Sequence, residues 1–403
     1  MPGILEGIRV VDMTVWGVGA GGGAFLADLG ADVIHIEQLG VGDPMRGSNY
    51  FLGVNMMMKG NRQMWVESAN RRKRGLALDL RKPEGKHIIY DMVKNSDVFI
   101  SNMRVESLKK HGLDYETLTG HNEKLIYLHS TGFGSKGPLA KTPLYDLVGM
   151  ARSGLMSACG DPDNPMMPLA GLPDSIGSIM MACGVLAGIV ARERWGIGQF
   201  IESSQVGGMM AAQFLPLAVN LFGTQEYGGQ VREKANNPLY NWYRCKDGRW
   251  IAVGCIQYNR HWPIFADTVG LGHLKSDPRF ENAHKVRENR KDLIAILDQL
   301  FATKTCEEWE KILSEADLIC SRINKMQDLR SDPQLLENEF IVDYDHPVLG
   351  PVKVYGPSIK YSKTPAETRG AAPDCGQHTE EVLIEVCSYT REMIGELKEK
   401  GVI

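Results

Sequence analysis

The first part of the chain alternates short apolar runs with helical patterns. The apolar runs lack polar alternation, which is typical of strands buried on both faces of a parallel sheet. Gly22–Leu29 and Pro83–Lys94 carry helical patterns, and Pro83 followed by Glu84 is a favourable helix start. The apolar runs are Ile8–Met13, Asp32–Ile36, Leu76–Leu80, Val98–Ser101 and Leu125–His129. This alternation predicts an α/β fold with a doubly wound parallel sheet.

The middle of the chain predicts a second, smaller domain. Residues 143–221 are mostly helical in pattern and rich in Met, Gly and Ala, and a polar link follows at Gly223–Asn237. Asn241–Cys245 and Arg249–Cys255 flank Lys246-Asp247-Gly248, which predicts a hairpin. Helical patterns come next at His261–Val269, Lys291–Phe301 and Cys306–Ala316. Together these elements indicate a small α+β domain.

The end of the chain is patterned less regularly. It is rich in Pro and Gly from Asp332-Pro333 to His378, which predicts an irregular stretch, and a helical pattern closes it at Tyr389–Lys400. The predicted division is 1–222 for the first part of the large domain, 223–330 for the small domain, and 331–403 for a return linker and the C-terminal part of the large domain.

Composition and charge narrow the class of protein. Of the 403 residues 43% are hydrophobic and 23% charged, and the formal net charge is −4, which gives no reason to expect a nucleic-acid or membrane partner. The eight cysteines are scattered without a C-x-x-C pair, which argues against a zinc site or disulfide framework and favours the cytoplasm. Residues 1–11 lack a signal-peptide pattern, and the apolar stretch Ile179–Ala191 is short for a membrane span and predicts a buried helix.

A glycine-rich segment after the first strand leaves two interpretations open. Gly17, Gly19 and Gly22 fit the G-x-G-x-x-G pattern, and Glu37 ends the next strand where a ribose-binding acid belongs, which indicates a nicotinamide or flavin oxidoreductase. Against this, Trp16 places a bulky side chain where a pyrophosphate would approach. The alternative is a set of glycines that lets a helix pack closely on the sheet.

Two basic segments lie near the predicted strands of the large domain. Asn70–Arg74 precedes the strand Leu76–Leu80, and Lys109-Lys110 follows Asn102-Met103-Arg104 beyond the strand Val98–Ser101. Ligands of open α/β sheets lie at the carboxyl edge, where arginine and lysine can hold phosphates. The other interpretation is an ordinary solvated charge cluster.

Asp174 lies in the segment Gly171–Gly177, immediately before the apolar helix. It can be the N-cap of that helix, or a carboxylate nucleophile towards an activated acyl group. The two roles are compatible, because a helix N-terminus also stabilises an ionised carboxylate. Spacing alone does not choose between them.

A series of short segments forms an ordered pattern along nearly the whole chain, from Leu5 to about Leu383. Its first half is Leu5–Asp12, Phe25–Glu37, Gly42-Asp43, Asn70–Arg74, Leu76–Leu80, Arg81–Gly85 and Ser96–Asn102. Its second half is Ser130–Pro138, Tyr145-Asp146, Leu172–Ser175, Gly196–Gln199, Asp332-Pro333, His346-Pro347 and Gly376–Thr379. This ordered series resembles the class III CoA-transferases, the family of formyl-CoA:oxalate and carnitine CoA-transferases.

The resemblance implies an interlocked homodimer, or a hetero-oligomer with a homologous subunit, in which 331–403 returns to the large domain. It implies that Asp174 is the nucleophile and that acyl-CoA and a carboxylic acid are the substrates, with no metal and no tightly bound cofactor. CoA transfer would pass through an aspartyl anhydride and an aspartyl-CoA thioester. The implied CoA contacts are Val15, Trp16, Asn70, Lys73, Asn102, Met103, Arg104, Lys110, Tyr145 and Asp146, with Lys73 and Lys110 at the phosphates.

Two alternatives share this family fold. α-Methylacyl-CoA racemases use a His directly before an Asp for proton transfer, and this chain has Tyr145 before Asp146, which favours transfer. The second alternative is a non-catalytic subunit of a two-subunit enzyme, and an intact Asp174 speaks against it.

The segment Pro44–Val66 is rich in Met and aromatic residues. It departs most from the family pattern, and Met56-Met57-Met58 within it fits an adaptable apolar lining. It therefore indicates a pocket for an acid larger and more apolar than oxalate, such as an aromatic or branched acid.

Overall fold

The computed structural model describes residues 2–160, 164–223, 228–229 and 231–403, and its contacts divide the chain into two compact units. The first unit contains Met1–Met156, Met167–Tyr227 and Pro333–Ile403, and the second contains Ser157–Met166 and Gly228–Asp332. The domain boundaries at 222 and 330 stay predictions. The predicted link Gly223–Asn237 lies partly outside the described residues.

Strands and helices alternate through the first part of the chain. In chain order the strands are β1 (Arg9–Met13), β2 (Asp32–Gln38), β3 (Tyr50–Phe51), β4 (Val54–Asn55), β5 (Met57–Met58), β6 (Arg62–Gln63), β7 (Arg74–Leu78), β8 (Val98–Ser101), β9 (Ile126–Thr131), β10 (Gln199–Ser204), β11 (Tyr240–Arg244), β12 (Trp250–Gly254), β13 (Cys320–Arg322), β14 (Ile341–His346) and β15 (Gly350–Tyr355). The helices are α1 (Trp16–Asp28), α2 (Met64–Ala69), α3 (Pro83–Lys94), α4 (Val105–His111), α5 (Tyr115–Thr119), α6 (Asp146–Arg152), α7 (Leu155–Cys159), α8 (Leu172–Trp195), α9 (Gln205–Ala212), α10 (Phe214–Phe222), α11 (Tyr258–Thr268), α12 (Ala283–Glu288), α13 (Arg290–Phe301), α14 (Cys306–Glu315), α15 (Pro333–Glu337), α16 (Thr379–Cys387) and α17 (Arg391–Glu399).

Parallel strands form the large sheet of the first unit, in the order β10-β9-β8-β1-β2-β7. On one face α3, α16 and α17 pack with Val11 and Phe99, and on the other face α1 and α8 pack with Val10 and Ile100. Successive side chains of a strand point to opposite faces, so a continuous apolar run supplies both cores. The predicted doubly wound parallel sheet is confirmed.

The structure adds elements that the pattern did not predict. The edge strand β10 lies within the part that was predicted to be mostly helical, and its side chains are only partly buried. The stretch that was predicted to be irregular, up to His378, contains the short helix α15 and the hairpin β14–β15, and the unpredicted helix α16 follows it. Half-buried edge strands and isolated hairpins leave a weak apolar pattern, because few of their side chains enter a core.

Helix α8 has 24 residues and contains an 18-residue window with a mean hydropathy of 1.7, so by length and composition it could cross a membrane, as could the bent pair α9 and α10. Within the first unit α8 packs along α1 and supplies Met181 and Val185 to the core. A core helix of a globular protein has the same composition, so these two properties do not make α8 a membrane span.

The second unit has its own sheet and core. The strands β11 and β12 form the predicted hairpin around Lys246-Asp247-Gly248, and β13 extends it as an antiparallel neighbour of β12. Helices α11, α13 and α14 supply Trp262, Phe301 and Trp309 to the core. The hairpin and the three helices predicted for this part are confirmed.

Candidate active site

The site lies where β1 and β8 end at the carboxyl edge of the parallel sheet. Val15 follows β1, Asn102 follows β8, and the two are joined by a pair of hydrogen bonds. Asn102 Oδ1 accepts from Val15 N at 2.9 Å, and Asn102 Nδ2 donates to Val15 O at 2.7 Å. Open α/β sheets bind their ligands at this edge, so the structure brings two of the predicted CoA contacts to a position that suits a ligand.

Trp16 begins α1 with a φ of 60°, a conformation that is strained for a non-glycine residue. Asp43 holds it there: Asp43 Oδ2 accepts from Trp16 N at 3.0 Å, and Oδ1 accepts from Met45 N at 2.7 Å. Asp43 N donates to Glu37 Oε1, and Arg46 pairs with Glu37 at 2.7 Å. The Glu37 carboxylate is therefore occupied by Asp43 N and Arg46 and is not free to bind a ribose.

The glycines of α1 let this helix lie directly against α8. A Cβ on Gly17 would collide with Asp174 Oδ2, and one on Gly22 would lie 3.0 Å from Met181 Cβ. Gly17, Gly19 and Gly22 all lie inside α1, whereas the dinucleotide fingerprint needs a turn. Close packing of the helix accounts for these glycines, and the oxidoreductase hypothesis does not fit them.

Asp174 lies in the first turn of α8, which begins at Leu172 after the N-cap residue Gly171, so Asp174 is not the N-cap. Asp174 Oδ1 accepts from Gln205 Nε2 at 2.5 Å, and Asp174 N donates to Asp146 Oδ1 at 3.2 Å. Asp146 begins α6 and Gln205 begins α9. Residues from the first turns of α6 and α9 therefore both contact Asp174 in the first turn of α8.

The carboxyls of Asp174 and Asp146 are electrostatically linked. Burial raises the pKa of Asp174 and the Asp146 carboxyl raises it further, to about 7, although the Gln205 amide acts in the opposite direction. Burial also raises the pKa of Asp146, against hydrogen bonds from the backbone of Gly171 and Asp174. Two close carboxyls resist double ionisation, so their proximity acts together with burial to hold the pKa of Asp174 above its ordinary value.

Two predicted CoA contacts lie in the interior instead. The Lys73 ammonium is buried and donates to Asp12 Oδ2 at 2.7 Å, Ala20 O at 2.7 Å and Asn70 Oδ1 at 2.9 Å. An ammonium has three hydrogens, so none is left for a phosphate, and the predicted phosphate contact of Lys73 does not fit this structure. Asn70 is fully buried beside it, so its predicted CoA contact does not fit either.

The other predicted contacts lie closer to solvent. Arg104 and Lys110 are exposed, at the start and in the last turn of α4, which follows β8. Met103 is partly buried between the sheet and this helix. Tyr145 is 67% exposed, and its ring meets the ring of Trp16 edge to face with centroids 6.2 Å apart.

Sequence reasoning missed Gln205 and Asp43 as residues of the site. Gln205 follows the unpredicted strand β10, and no spacing rule connects it to Asp174. Asp43 belongs to the recognised pair Gly42-Asp43, but its hydrogen bond to Trp16 exists only in the folded chain. In the part of the chain that the structure describes, no group of His, Cys, Asp or Glu has the arrangement of a metal site.

This fold and site define an α/β enzyme with a carboxylate at the ligand edge of its sheet. A family model described as CoA-transferase family III matches residues 5–379. The chain is 30% identical to succinyl-CoA:glutarate CoA-transferase of Mus musculus over 99% of this chain and 90% of that protein. It is also 30% identical to (R)-2-hydroxy-4-methylpentanoate CoA-transferase of Clostridioides difficile, with 99% of each chain covered.

The solved structures agree with these relatives. A CAIB/BAIF family protein from Brucella suis superposes with a TM-score of 0.85 at 25% identity, over 96% of this chain and 100% of that one. The chain therefore belongs to CoA-transferase family III. CoA thioesters and carboxylic acids are the substrates that fit this family, and the racemase and oxidoreductase alternatives are not favoured.

Proposed function

We propose that the chain moves CoA from an acyl-CoA donor to a carboxylic acid with Asp174 as the covalent carrier. The observation that carries this proposal is the placement of the carboxylate. One oxygen accepts from Gln205, the other lies against Gly17, and both are at the ligand edge of the sheet. Asp174 is partly exposed, so a thioester can reach it.

The proposed reaction consists of acyl exchanges at this carboxyl. An oxygen of Asp174 attacks the thioester carbonyl and the carbon–sulfur bond breaks. CoA leaves as a thiolate, and a mixed anhydride between Asp174 and the donor acyl group remains. The thiolate attacks the Asp174 carbonyl carbon, which releases the donor acid as a carboxylate and leaves an aspartyl-CoA thioester. The acceptor carboxylate attacks this thioester to form a second anhydride, and the returning thiolate takes the acceptor acyl group and frees Asp174.

Gln205 and Asp146 support this carrier in different ways. The Gln205 amide orients the carboxylate, and it can then donate to the carbonyl oxygen of the aspartyl thioester, where charge develops during attack. Asp146 accepts from the backbone N–H of Asp174 and so fixes the first turn of α8. The nucleophile is therefore held at both its backbone and its carboxylate.

For CoA we propose the exposed edge that runs from Val15 and Asn102 towards α4. Arg104 and Lys110 are exposed cations on this side and suit the phosphates of CoA. The contact of Met103 with CoA stays a prediction.

We also propose that the functional form is a dimer. Large apolar side chains are exposed on α8 and α10: Ile179 and Val190 are each 53% exposed, and Leu215 is 68% exposed. Exposed apolar surface of this kind is typical of a protein–protein contact. A second copy and a homologous subunit both remain candidates for the partner, and the cytoplasmic location stays a prediction.

Trapping with hydroxylamine tests the covalent carrier. The protein is incubated with acetyl-CoA, succinyl-CoA or hydrocinnamoyl-CoA, quenched with hydroxylamine and digested for mass spectrometry. We expect a hydroxamate on Asp174, because both the anhydride and the aspartyl thioester are activated acyl groups, and none on Asp146. If Asp174 stays unmodified with every donor in protein that binds CoA, the proposal is contradicted.

We expect the transfer rate to rise with pH through the pKa of Asp174, about 7. The ionised carboxylate is the nucleophile and a raised pKa keeps it protonated at lower pH, so kcat/KM for the donor falls roughly tenfold per unit on the acid side and is level on the alkaline side. The measurement is a pH profile of kcat/KM between about pH 5 and 9.

Asp146→Asn provides the control for this profile. It removes the second charge of the pair, so the midpoint is expected to move to lower pH. A level profile in the native protein, or an unchanged midpoint in this variant, would contradict the electrostatic link between the two carboxyls.

A further inference from the structure

Two aromatic residues are chain neighbours of residues that contact Asp174. Trp16 precedes Gly17, against which Asp174 Oδ2 packs, and Tyr145 precedes Asp146, which accepts from Asp174 N. Their rings meet edge to face with centroids 6.2 Å apart, and Tyr145 is mostly exposed. This aromatic pair is thus one residue along the chain from each of two contacts of Asp174, which makes it a candidate surface for a group attached at that carboxylate.

Apolar side chains extend this aromatic pair away from the nucleophile. Trp16 and Trp65 both pack against a buried cluster of Met45, Val66 and Ala372. Trp65 in turn meets Phe51, with ring centroids 4.5 Å apart. We call the surface formed by Tyr145, Trp16, Trp65 and Phe51 the aromatic strip; the buried side chains of Met45 and Val66 lie beneath it.

The strip continues into the hairpin β3–β4, which is apolar and exposed. Tyr50 and Leu52 are each 70% exposed, and Val54 is 57% exposed. Leu52 has a φ of 47°, so a large apolar side chain occupies a turn position where glycine is the ordinary residue. Exposed apolar groups that are held in this way provide surface for a bound apolar group to cover.

The charges beside the carboxyl pair offer no cation to a second carboxylate. Among the described residues, no lysine, arginine or histidine forms an ion pair with Asp174 or Asp146, and the side-chain partners of Asp174 are Gln205 and Asp146. The arginines of the neighbouring segment, Arg46 and Arg62, are both held in ion pairs with carboxylates. A substrate with two carboxylates would therefore have to leave one of them unpaired against an acidic pair and aromatic rings.

We propose that the acid handled at Asp174 is a monocarboxylate whose aromatic or branched apolar group lies on the aromatic strip. This inference rests on the proposed function, because that function places the carboxylate of the acid at Asp174. The apolar group leaves water for an apolar surface, which is favourable, while a dicarboxylate loses the hydration of a charge without compensation.

Acids of similar length with different ends test the inference. The donor is the acyl-CoA that acylates Asp174, and kcat/KM is measured for hydrocinnamate, isocaproate, glutarate and adipate. We expect the first two acids to exceed the last two by roughly 100-fold. Equal or higher values for glutarate would overturn the inference and leave the covalent mechanism in place.

Variants of Tyr145 test whether the strip is the cause of this selectivity. Tyr145→Ala removes the exposed ring, and the ratio of kcat/KM for hydrocinnamate to that for acetate is expected to fall roughly tenfold. Tyr145→Phe removes only the hydroxyl, so the ratio is expected to be retained. If Tyr145→Ala instead raises KM for the donor and affects all acids alike, the ring serves CoA and the inference is overturned.

Calorimetry separates failure of this inference from failure of the proposed function. Binding of hydrocinnamate and glutarate is measured with Asp174→Asn loaded with CoA, a variant that cannot react. Hydrocinnamate binding, together with an unmodified Asp174 in the native protein, would support the strip and reject the covalent carrier. Glutarate binding without hydrocinnamate binding would overturn the strip alone.

Discussion

Asp174→Asn is expected to lower kcat for CoA exchange by on the order of a thousand-fold or more. The substitution keeps the size of the side chain and its place against Gly17, but an amide cannot attack a thioester or carry CoA. The measurement is exchange of CoA between a donor and an acid, followed by chromatography of both thioesters. Exchange within about tenfold of the native rate would exclude Asp174 as the carrier.

Ser175→Ala is the matched control for this variant. Ser175 lies in the same first turn of α8, and its hydroxyl donates to Gly171 O, so the change perturbs the helix start without touching the carboxyl. Exchange is expected to stay within about threefold of native, because the residue is exposed and makes one local hydrogen bond. A loss as large as that of Asp174→Asn would assign the effect to the helix start.

The Asp174→Asn variant is also expected to stay folded. The pKa of Asp174 is higher in the folded chain than in the unfolded one, so ionisation of the native carboxyl costs stability that is lost as the pH rises to about 7. The amide does not ionise, so above that pH the Tm of the variant should equal or exceed that of the native protein. This difference shrinks as the pH falls, because the native carboxyl is then protonated.

Lys73→Met is expected to lower the free energy of unfolding by about 3–5 kcal/mol. The Lys73 ammonium and the Asp12 carboxylate are both fully buried and lie 2.7 Å apart. Burial by itself would raise the pKa of Asp12, but Lys73 and His35 outweigh it and hold that pKa well below its ordinary value. Without the ammonium, Asp12 loses its nearest cation and keeps only Thr14 and His35 as polar neighbours in the interior. Urea unfolding at neutral pH will measure this loss.

A double variant and a surface variant are the controls for this effect. Adding Asp12→Asn to Lys73→Met removes both charges, so most of the lost stability is expected to return. Lys110→Met removes an exposed lysine and is expected to change stability by no more than about 0.5 kcal/mol. Equal losses in the single and double variants would show that Lys73 contributes through packing and not through charge.

Lys73 and Lys110 show what can be predicted about the site from the sequence and what cannot. The family resemblance assigns the same role, a phosphate contact, to Lys73 and Lys110. In the folded chain Lys73 lies beneath α1, and Gly23 of that helix packs against the side chains of Lys73 and Asp12. Lys110, in contrast, is exposed in the last turn of α4. Burial depends on which elements pack over a residue, and a basic run in the sequence does not contain that information.

The contacts of Gln205 and Trp16 around the candidate nucleophile could not be predicted from the sequence either. Gln205 is 31 residues from Asp174 along the chain, and the two meet because α8 and α9 pack together. Trp16 takes a strained conformation because Asp43 captures its N–H. Neither contact has a local pattern, since each one joins side chains or backbone atoms from separate elements.

The sequence by itself determined the parallel sheet, the hairpin of the second unit and the position of the candidate nucleophile. Apolar runs specify buried strands because burial is a local demand on each residue, and the ordered family segments mark Asp174. Only the tertiary structure decided that the glycines of α1 serve packing, that Lys73 belongs to an interior ion pair and that the rings of Trp16 and Tyr145 meet. These properties arise from contacts between elements distant along the chain, and the free energy of such contacts depends on a geometry that exists only after folding.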